Sequence, residues 1–343
     1  MAAKFSSTGT HTRKACATTD HCLIALLFLF VLPGVGRPQG NSPSERPQEN
    51  QYTIRVNADM VVLHATVQNR KGTPFSRLGK DDFQVYEDGV LQQITYFSHK
   101  DIPVTVGLVV DNSGSMGPKR PEVIAAALAF ARSSNPQDQM FVVNFNEHVR
   151  FALPDNTPFT DQPAQLEAAL SRIAADGETA LYDAVAAAIE RLKKGNRDKK
   201  VLIVISDGGD NASKHTLAEI MAMARQSDAI IYTLGIYDKD DPDHNTHALK
   251  QLAKATGGEA FLPESLSEVV PICEQIARDI RNQYTIAYVP TNRKQDGTYR
   301  AIQVKVTAER VGRLYARTRA GYTSPSEPQQ APATRATDHE AQN

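Results

Sequence analysis

The amino-acid sequence predicts an α/β protein: a doubly wound, mostly parallel, Rossmann-like sheet, flanked by short strands that form a small antiparallel β-sandwich. Three observations carry this. Val104–Val110 and Val201–Ile205 are unbroken apolar runs, the pattern of strands buried on both faces of a sheet. Helical patterns alternate with these and other strand-like runs between residues 101 and 283, the arrangement of βαβ units. Short alternating stretches without helices lie on either side of that segment.

Each element has its own signal. Met60–Gln68, Phe83–Glu87 and Leu91–Phe97 alternate apolar and polar residues, with turns at Arg70-Lys-Gly72 and Glu87-Asp-Gly89. Val104–Val110 opens the α/β segment, and a helix follows with Val123, Ala127, Phe130 and Ala131 on one stripe and Pro121 near its start. Met140–Phe145 and Val149–Leu153 read as a hairpin pair. Helical stretches near Ala164–Ile173 and Ala180–Leu192 precede the buried strand Val201–Ile205. Leu217–Arg225 is helical, Ala229–Ile236 a strand, His247–Thr256 helical, Ala260–Leu262 a short strand and Leu266–Arg281 a closing helix. Tyr284–Val289, Ala301–Val306 and Leu314–Arg319 are again short, alternating strands. Each flank is only about 40–50 residues, near the lower limit for an independent core, so the two are expected to join into one sandwich with the α/β domain inserted between them. Two separate satellite sheets are the alternative.

The resulting organisation is a signal peptide at 1–36, a disordered linker at 37–50, sandwich halves at 51–100 and 284–323 around an α/β domain at 101–283, and a disordered tail at 324–343. Lys4, Arg13 and Lys14 precede the apolar run Cys22–Leu32, and Gly34 and Gly36 follow it. This is the layout of a secretory leader, and the run of 11 residues is short for a membrane span of about 20. The expected location is outside the cytoplasm: secreted, periplasmic or at the cell envelope, without membrane insertion after cleavage.

Composition narrows the function. Lys+Arg is 38 against 39 Asp+Glu, a net charge of −1 that argues against a nucleic-acid partner. Trp is absent and aromatics are 7%, which argues against a stacking platform for bases or sugars. Of three cysteines, Cys16 and Cys22 fall in the leader, so Cys273 has no disulfide partner in the mature chain. Its place between Ile272 and Ile276 suits a small buried apolar group. No Gly-x-Ser-x-Gly elbow, His-Glu-x-x-His or Walker A loop is present.

What the sequence does carry is oxygen. Ligands of open α/β sheets bind beyond the carboxyl ends of the strands. There the first buried strand ends in Asp111-Asn-Ser113-Gly-Ser115, and the second in Ser206-Asp207-Gly-Gly-Asp210-Asn211. Between them Asp176-Gly-Glu-Thr179-Ala-Leu-Tyr-Asp183 leads into a helix. Three loops offering only oxygen ligands suit a hard cation such as Mg²⁺. Each loop alone also fits ordinary turn and capping chemistry.

Asp111-x-Ser113-x-Ser115, Thr179 and Asp207, with Gly-x-Thr-x-Leu-x-Asp in register, resemble the metal-ion-dependent adhesion site of von Willebrand factor A domains. The resemblance runs from about Asp101 to Gln283. Asp82-Phe83-x-Val85-x-Glu87-Asp88-Gly89 and Arg317-Thr-Arg319-Ala-Gly321-Tyr322 are similar to an exported subfamily described mainly from acidobacteria. The resemblance implies that Ser113, Ser115 and Thr179 ligate Mg²⁺ (or Mn²⁺ or Ca²⁺) through hydroxyls. It implies that Asp111 and Asp207 hold the metal's waters, and that an exposed Asp or Glu of a protein partner completes the shell. A non-enzymatic adhesion or interaction module follows. Two other readings stay open on the same residues: a Mg²⁺-dependent hydrolase or phosphoryl-transfer enzyme, and a structural envelope protein with a stabilising metal.

Weaker signals remain. Asp238–His244 is an acidic loop that fails the EF-hand spacing. Arg191–Lys200 is locally basic at a helix end, with Gly195 as its stop. Asn211-Ala-Ser213 matches a glycosylation sequon.

Overall fold

A computed structural model describes residues 60–171, 175–237, 245–308 and 312–326. All fall within one compact unit, Arg55–Asn343. The proposed leader and linker, the loop 238–244 and nearly all of the proposed tail lie outside the described residues.

The chain opens with β1 (Val61–Asn69), β2 (Phe83–Glu87), β3 (Val90–Gln92) and β4 (Ile94–Ser98). The α/β segment then runs β5 (Val104–Asp111), α1 (Arg120–Ser133), β6 (Gln139–Phe145), β7 (Val149–Phe151), α2 (Pro163–Ser171), α3 (Leu181–Leu192), β8 (Lys199–Ser206), α4 (Leu217–Gln226), β9 (Ala229–Gly235), α5 (Thr246–Thr256), β10 (Ala260–Phe261) and α6 (Val269–Arg281). It closes with β11 (Tyr284–Tyr288), β12 (Tyr299–Val306), β13 (Leu314–Arg317) and β14 (Gly321–Thr323).

The central sheet has the order β10-β9-β8-β5-β6-β7 and is parallel except for β7. Every residue of β5 and β9 is buried, as continuous apolar strands covered on both faces must be. Helix α1 packs on α2 and α6, while α3, α4 and α5 form the second covering layer. From β5 the chain steps to β6 on one side and later to β8 on the other. The strand order therefore reverses between β5 and β8, and the carboxyl ends of these two neighbours border the crevice where such sheets bind ligands.

The remaining strands form two four-stranded sheets, β13-β1-β11-β4 and β14-β12-β2-β3. Each draws strands from both sides of the α/β segment, and one core joins Leu63, Phe83, Val85, Tyr284, Ile286, Ile302 and Val304 across them. Within it Glu87 is 2% exposed and accepts hydrogen bonds from the Tyr288 and Tyr322 hydroxyls at 2.7 and 3.0 Å.

Two details differ from the sequence expectation. The run Leu91–Phe97 is not one strand: β3 belongs to one sheet and β4 to the other, and the chain crosses between them at Gln93. Gln92 is buried and its side-chain amide bonds Val90 O and Thr291, which interrupts the apolar alternation at the crossing. The residues after Leu314 form two strands, β13 pairing β1 and β14 pairing β12.

Candidate metal centre

Asp111 is the last residue of β5 and lies abreast of Ser206, the last of β8, in the parallel register that pairs Val110 with Ile205. The Ser206 hydroxyl donates to Asp111 Oδ2 at 2.6 Å, and the Ser113 N–H donates to Oδ1 at 2.8 Å. Ser113 then starts a 3₁₀ turn, Gly114–Lys119, that leads into α1. Within this turn the Ser113 and Ser115 hydroxyls lie 3.2 Å apart, and Ser115 Oγ donates to Asp207 Oδ2 at 2.6 Å. Four of the five expected residues thus form one hydrogen-bonded line across the switch point, from Asp111 through Ser113 and Ser115 to Asp207.

Thr179 is held differently. Its N–H donates to Asn211 Oδ1 at 2.8 Å, and its carbonyl accepts the N–H groups of Asn211 and Ala212 at 3.0 Å each. Its loop reaches the first motif through Gly114 N–H to Gly177 O (3.1 Å) and Asp176 N–H to Asn112 O (3.0 Å). All three loops are therefore bonded to one another. Thr179 is 6% exposed, and these bonds hold it by its backbone.

Glycine at two points is a geometric requirement. Gly208, directly after Asp207, has φ +85°, and a Cβ there would stand 2.6 Å from the Asn245 carbonyl oxygen. Gly177 has φ +81°, and a Cβ would run into the Glu147 carboxylate. L residues are disfavoured at such φ on their own account.

Several supporting residues carry no sequence-level role. Ser206 was visible only as the neighbour of Asp207. Asn112 bonds Val110 O and Asn144 Oδ1 at 3.1 Å each through its amide, and its own oxygen receives Arg120. Lys119, 4% exposed, anchors the 3₁₀ turn to Ile236 O at 3.1 Å, just past β9. Polar residues within apolar-run boundaries were the available signal; their partners depend on strand register and were not.

The electrostatics favour a cation. Asp111 and Asp207 are each 3% exposed. Burial raises the Asp111 carboxyl to about 6, the neighbouring Asp207 charge adds to the rise, and hydrogen bonds from Ser206 and Ser113 oppose it. The donors to these carboxylates among the described residues are hydroxyls and backbone N–H groups, all neutral. Two buried acids that repel one another and, among the described residues, receive no cationic hydrogen bond are a fitting place for a divalent ion. No cluster of three or more His, Cys, Asp or Glu suited to a metal occurs among the described residues. A cation at this position would consequently depend on the serine and threonine oxygens, which hard cations accept.

Residues 105–275 match the family model of the von Willebrand factor type A domain. A curated relative, the uncharacterized protein sll0103 of Synechocystis, is 23% identical over 184 residues, spanning 53% of this chain and 42% of the relative. The chain thus spans about two fifths of that relative's length. Among solved structures, a von Willebrand factor type A protein from Catenulispora acidiphila is 14% identical with a TM-score of 0.46, covering 78% of this chain and 72% of that one. The vWF domain of the type V pili tip protein Mfa5 from Porphyromonas gingivalis is 15% identical with a TM-score of 0.45, covering 52% and 95%. With the family match over strands β5 to β10 and a mostly parallel sheet covered by helices on both faces, the α/β segment of this chain is a von Willebrand factor type A domain.

Proposed function

We propose that this chain is an exported, non-enzymatic protein-binding module that captures an exposed Asp or Glu of a partner through a divalent cation. Mg²⁺ is the first choice, with Mn²⁺ or Ca²⁺ as alternates. Ser113, Ser115 and Thr179 would hold the ion, and Asp111 and Asp207 would orient its waters. The bound cation supplies positive charge left largely unneutralised by hydroxyl ligands, open to a carboxylate from outside. The chain's own residues do the rest: Ser206 and the Ser113 N–H orient Asp111, Ser115 ties Asp207 to the first motif, and the Asn211 loop holds Thr179.

The observation that carries this reading is the hydrogen-bonded line Asp111–Ser113–Ser115–Asp207 at the β5/β8 crevice, with neutral donors throughout. Von Willebrand factor A domains generally mediate protein–protein interaction or adhesion, and the near-zero net charge suits a protein partner better than nucleic acid. The leader-like N-terminus supports export, and among the described residues no helix is long and apolar enough to cross a membrane. The flanking motifs fit the exported subfamily named above.

Calorimetric titration with Mg²⁺ tests the reading. Wild type is expected to bind saturably and Asp207→Ala to lose at least about tenfold in affinity, the loss typical of groups that orient metal ligands. Equal affinity in the two proteins would defeat it.

A further inference from the structure

We propose that Asn211 is a positioning residue of this site, setting where Thr179 stands relative to Asp207 and thereby favouring Mg²⁺ over larger cations. The inference rests on the metal reading above and adds a determinant of ion choice to it.

The argument starts at the N-terminus of α3. The first backbone N–H groups of a helix lack partners within it, and a side-chain cap normally supplies one. Here the N-cap position is Ala180, which has no side chain able to do so. The loop after β8 provides the caps instead. Asp210 Oδ1 accepts the Tyr182 N–H at 3.1 Å, and Ser213 Oγ accepts the Asp183 N–H at 3.1 Å. In return the Asp183 carboxylate accepts the N–H groups of Lys214 and His215 at 3.1 and 3.0 Å, and meets the His215 ring at 2.6 Å. The two segments are latched reciprocally.

Asn211 sits inside this latch with a distinct task. Asp210, Ser213 and Asp183 act on the helix and the loop. Asn211 reaches Thr179 itself with its side chain, accepting the N–H, while its own N–H and that of Ala212 donate to the carbonyl. Thr179 is therefore gripped on both its N–H and its C=O by residues only a few positions beyond Asp207. Between them Gly208 turns the chain at φ +85°. The grip uses only the backbone of Thr179. A small shift of this loop would move Thr179 and Asp207 relative to each other. Mg²⁺ requires near-ideal octahedral geometry, whereas Ca²⁺ accepts irregular shells. A loosened Thr179 should penalise Mg²⁺ more than Ca²⁺.

The test uses the full chain, titrated calorimetrically with MgCl₂ and CaCl₂, with thermal unfolding of each metal-free protein alongside. Asn211→Ala is expected to weaken Mg²⁺ by about tenfold or more and Ca²⁺ by less, so that the Mg²⁺/Ca²⁺ affinity ratio falls. Asn211→Asp returns the acceptor oxygen and is expected to restore the ratio. Ser213→Ala removes a helix cap without touching Thr179, and is expected to lower the melting temperature while keeping the wild-type ratio. Should Asn211→Ala fail to fold, Asn211→Gln, which displaces the same oxygen by one methylene, carries the same expectation. An unchanged ratio in the folded Asn211 variant, or an equal fall in Ser213→Ala, overturns the role of Asn211 while leaving the metal site standing. Absence of saturable binding in wild type overturns both.

Discussion

Gly208 carries a side-chain-free turn at the point where Asp207 must face Ser115, and replacing it tests that geometry directly. Left-handed backbone costs an L residue about 1–2 kcal/mol, and the approach of Asn245 adds to it. Gly208→Ala is accordingly expected to lower the melting temperature in a thermal scan; an unchanged value would contradict the turn. Cys273 is fully buried, and burial pushes its thiol up to about 12, so little thiolate exists at neutral pH. It should resist iodoacetamide in the native protein and react once unfolded; labelling at equal rates in both states would contradict its burial. That Asp111, Ser113, Ser115 and Asp207 lie just beyond the ends of two buried strands was legible in the sequence, because a strand's end announces itself locally. The grip of Asn211 on Thr179 was not legible, since it depends on two loops 32 positions apart meeting in space. Asn211 and Ser213 of the Asn211-Ala-Ser213 triplet each bond the Thr179–Asp183 segment.

Strands and helices were legible in proportion to how local their causes are. β5 could be read from composition alone, because a strand buried on both faces needs no partner to declare itself. The Asp88-Gly89 turn was equally plain: both residues adopt positive φ, +49° and +82°, as a tight hairpin demands. The division of Leu91–Phe97 into β3 and β4 was hidden, because a strand that changes sheets keeps its propensity and alters only its neighbours. The start of β8 holds a further element-level feature. Lys199, 3% exposed, donates its Nζ proton to Ile280 O in the last turn of α6. Burial pulls its ammonium down to about 7, with Asp101 and Asp138 resisting the fall. The folded state therefore favours the neutral amine. Its stability contribution is complete above the unfolded lysine value of 10.5, falls progressively as pH drops below that value, and is gone once pH has passed through about 7. Between about pH 8 and 9, stability should rise by about 1 kcal/mol per pH unit from this group. Denaturant unfolding across that range should show the slope in wild type and lose it in Lys199→Met; identical slopes would refute the assignment.

At the scale of the whole molecule, two hydrophobic cores are joined by a polar seam. Arg317 of β13 meets Glu259 at 2.9 Å and the Gly257 carbonyl at 3.2 Å, Arg319 meets Asp228 at 2.9 Å, and the Ala320 N–H reaches Ala255 O at 3.3 Å. Gln283, buried between α6 and β11, donates to both Thr66 of β1 and Tyr232 of β9. Such shared bonds couple the cores, so calorimetry is expected to show one unfolding transition; two resolved transitions would contradict the coupling. The covered parallel sheet could be anticipated from the chain because its buried strands and alternating helices are local patterns, while the seam could not, because Arg317 and Arg319 meet partners about 60 to 90 positions away. The connectivity also fixes how a pull on the α/β segment would be borne. The α/β segment departs after β4 and returns at β11, and these two strands are direct antiparallel neighbours, Ser98 facing Thr285. Both covalent connections therefore leave the sandwich side by side, and a pull on the α/β segment would load the ends of two adjacent strands together. The arginine contacts to Glu259 and Asp228 then act as side stays, sharing a mechanical load that two backbone strands would otherwise bear alone.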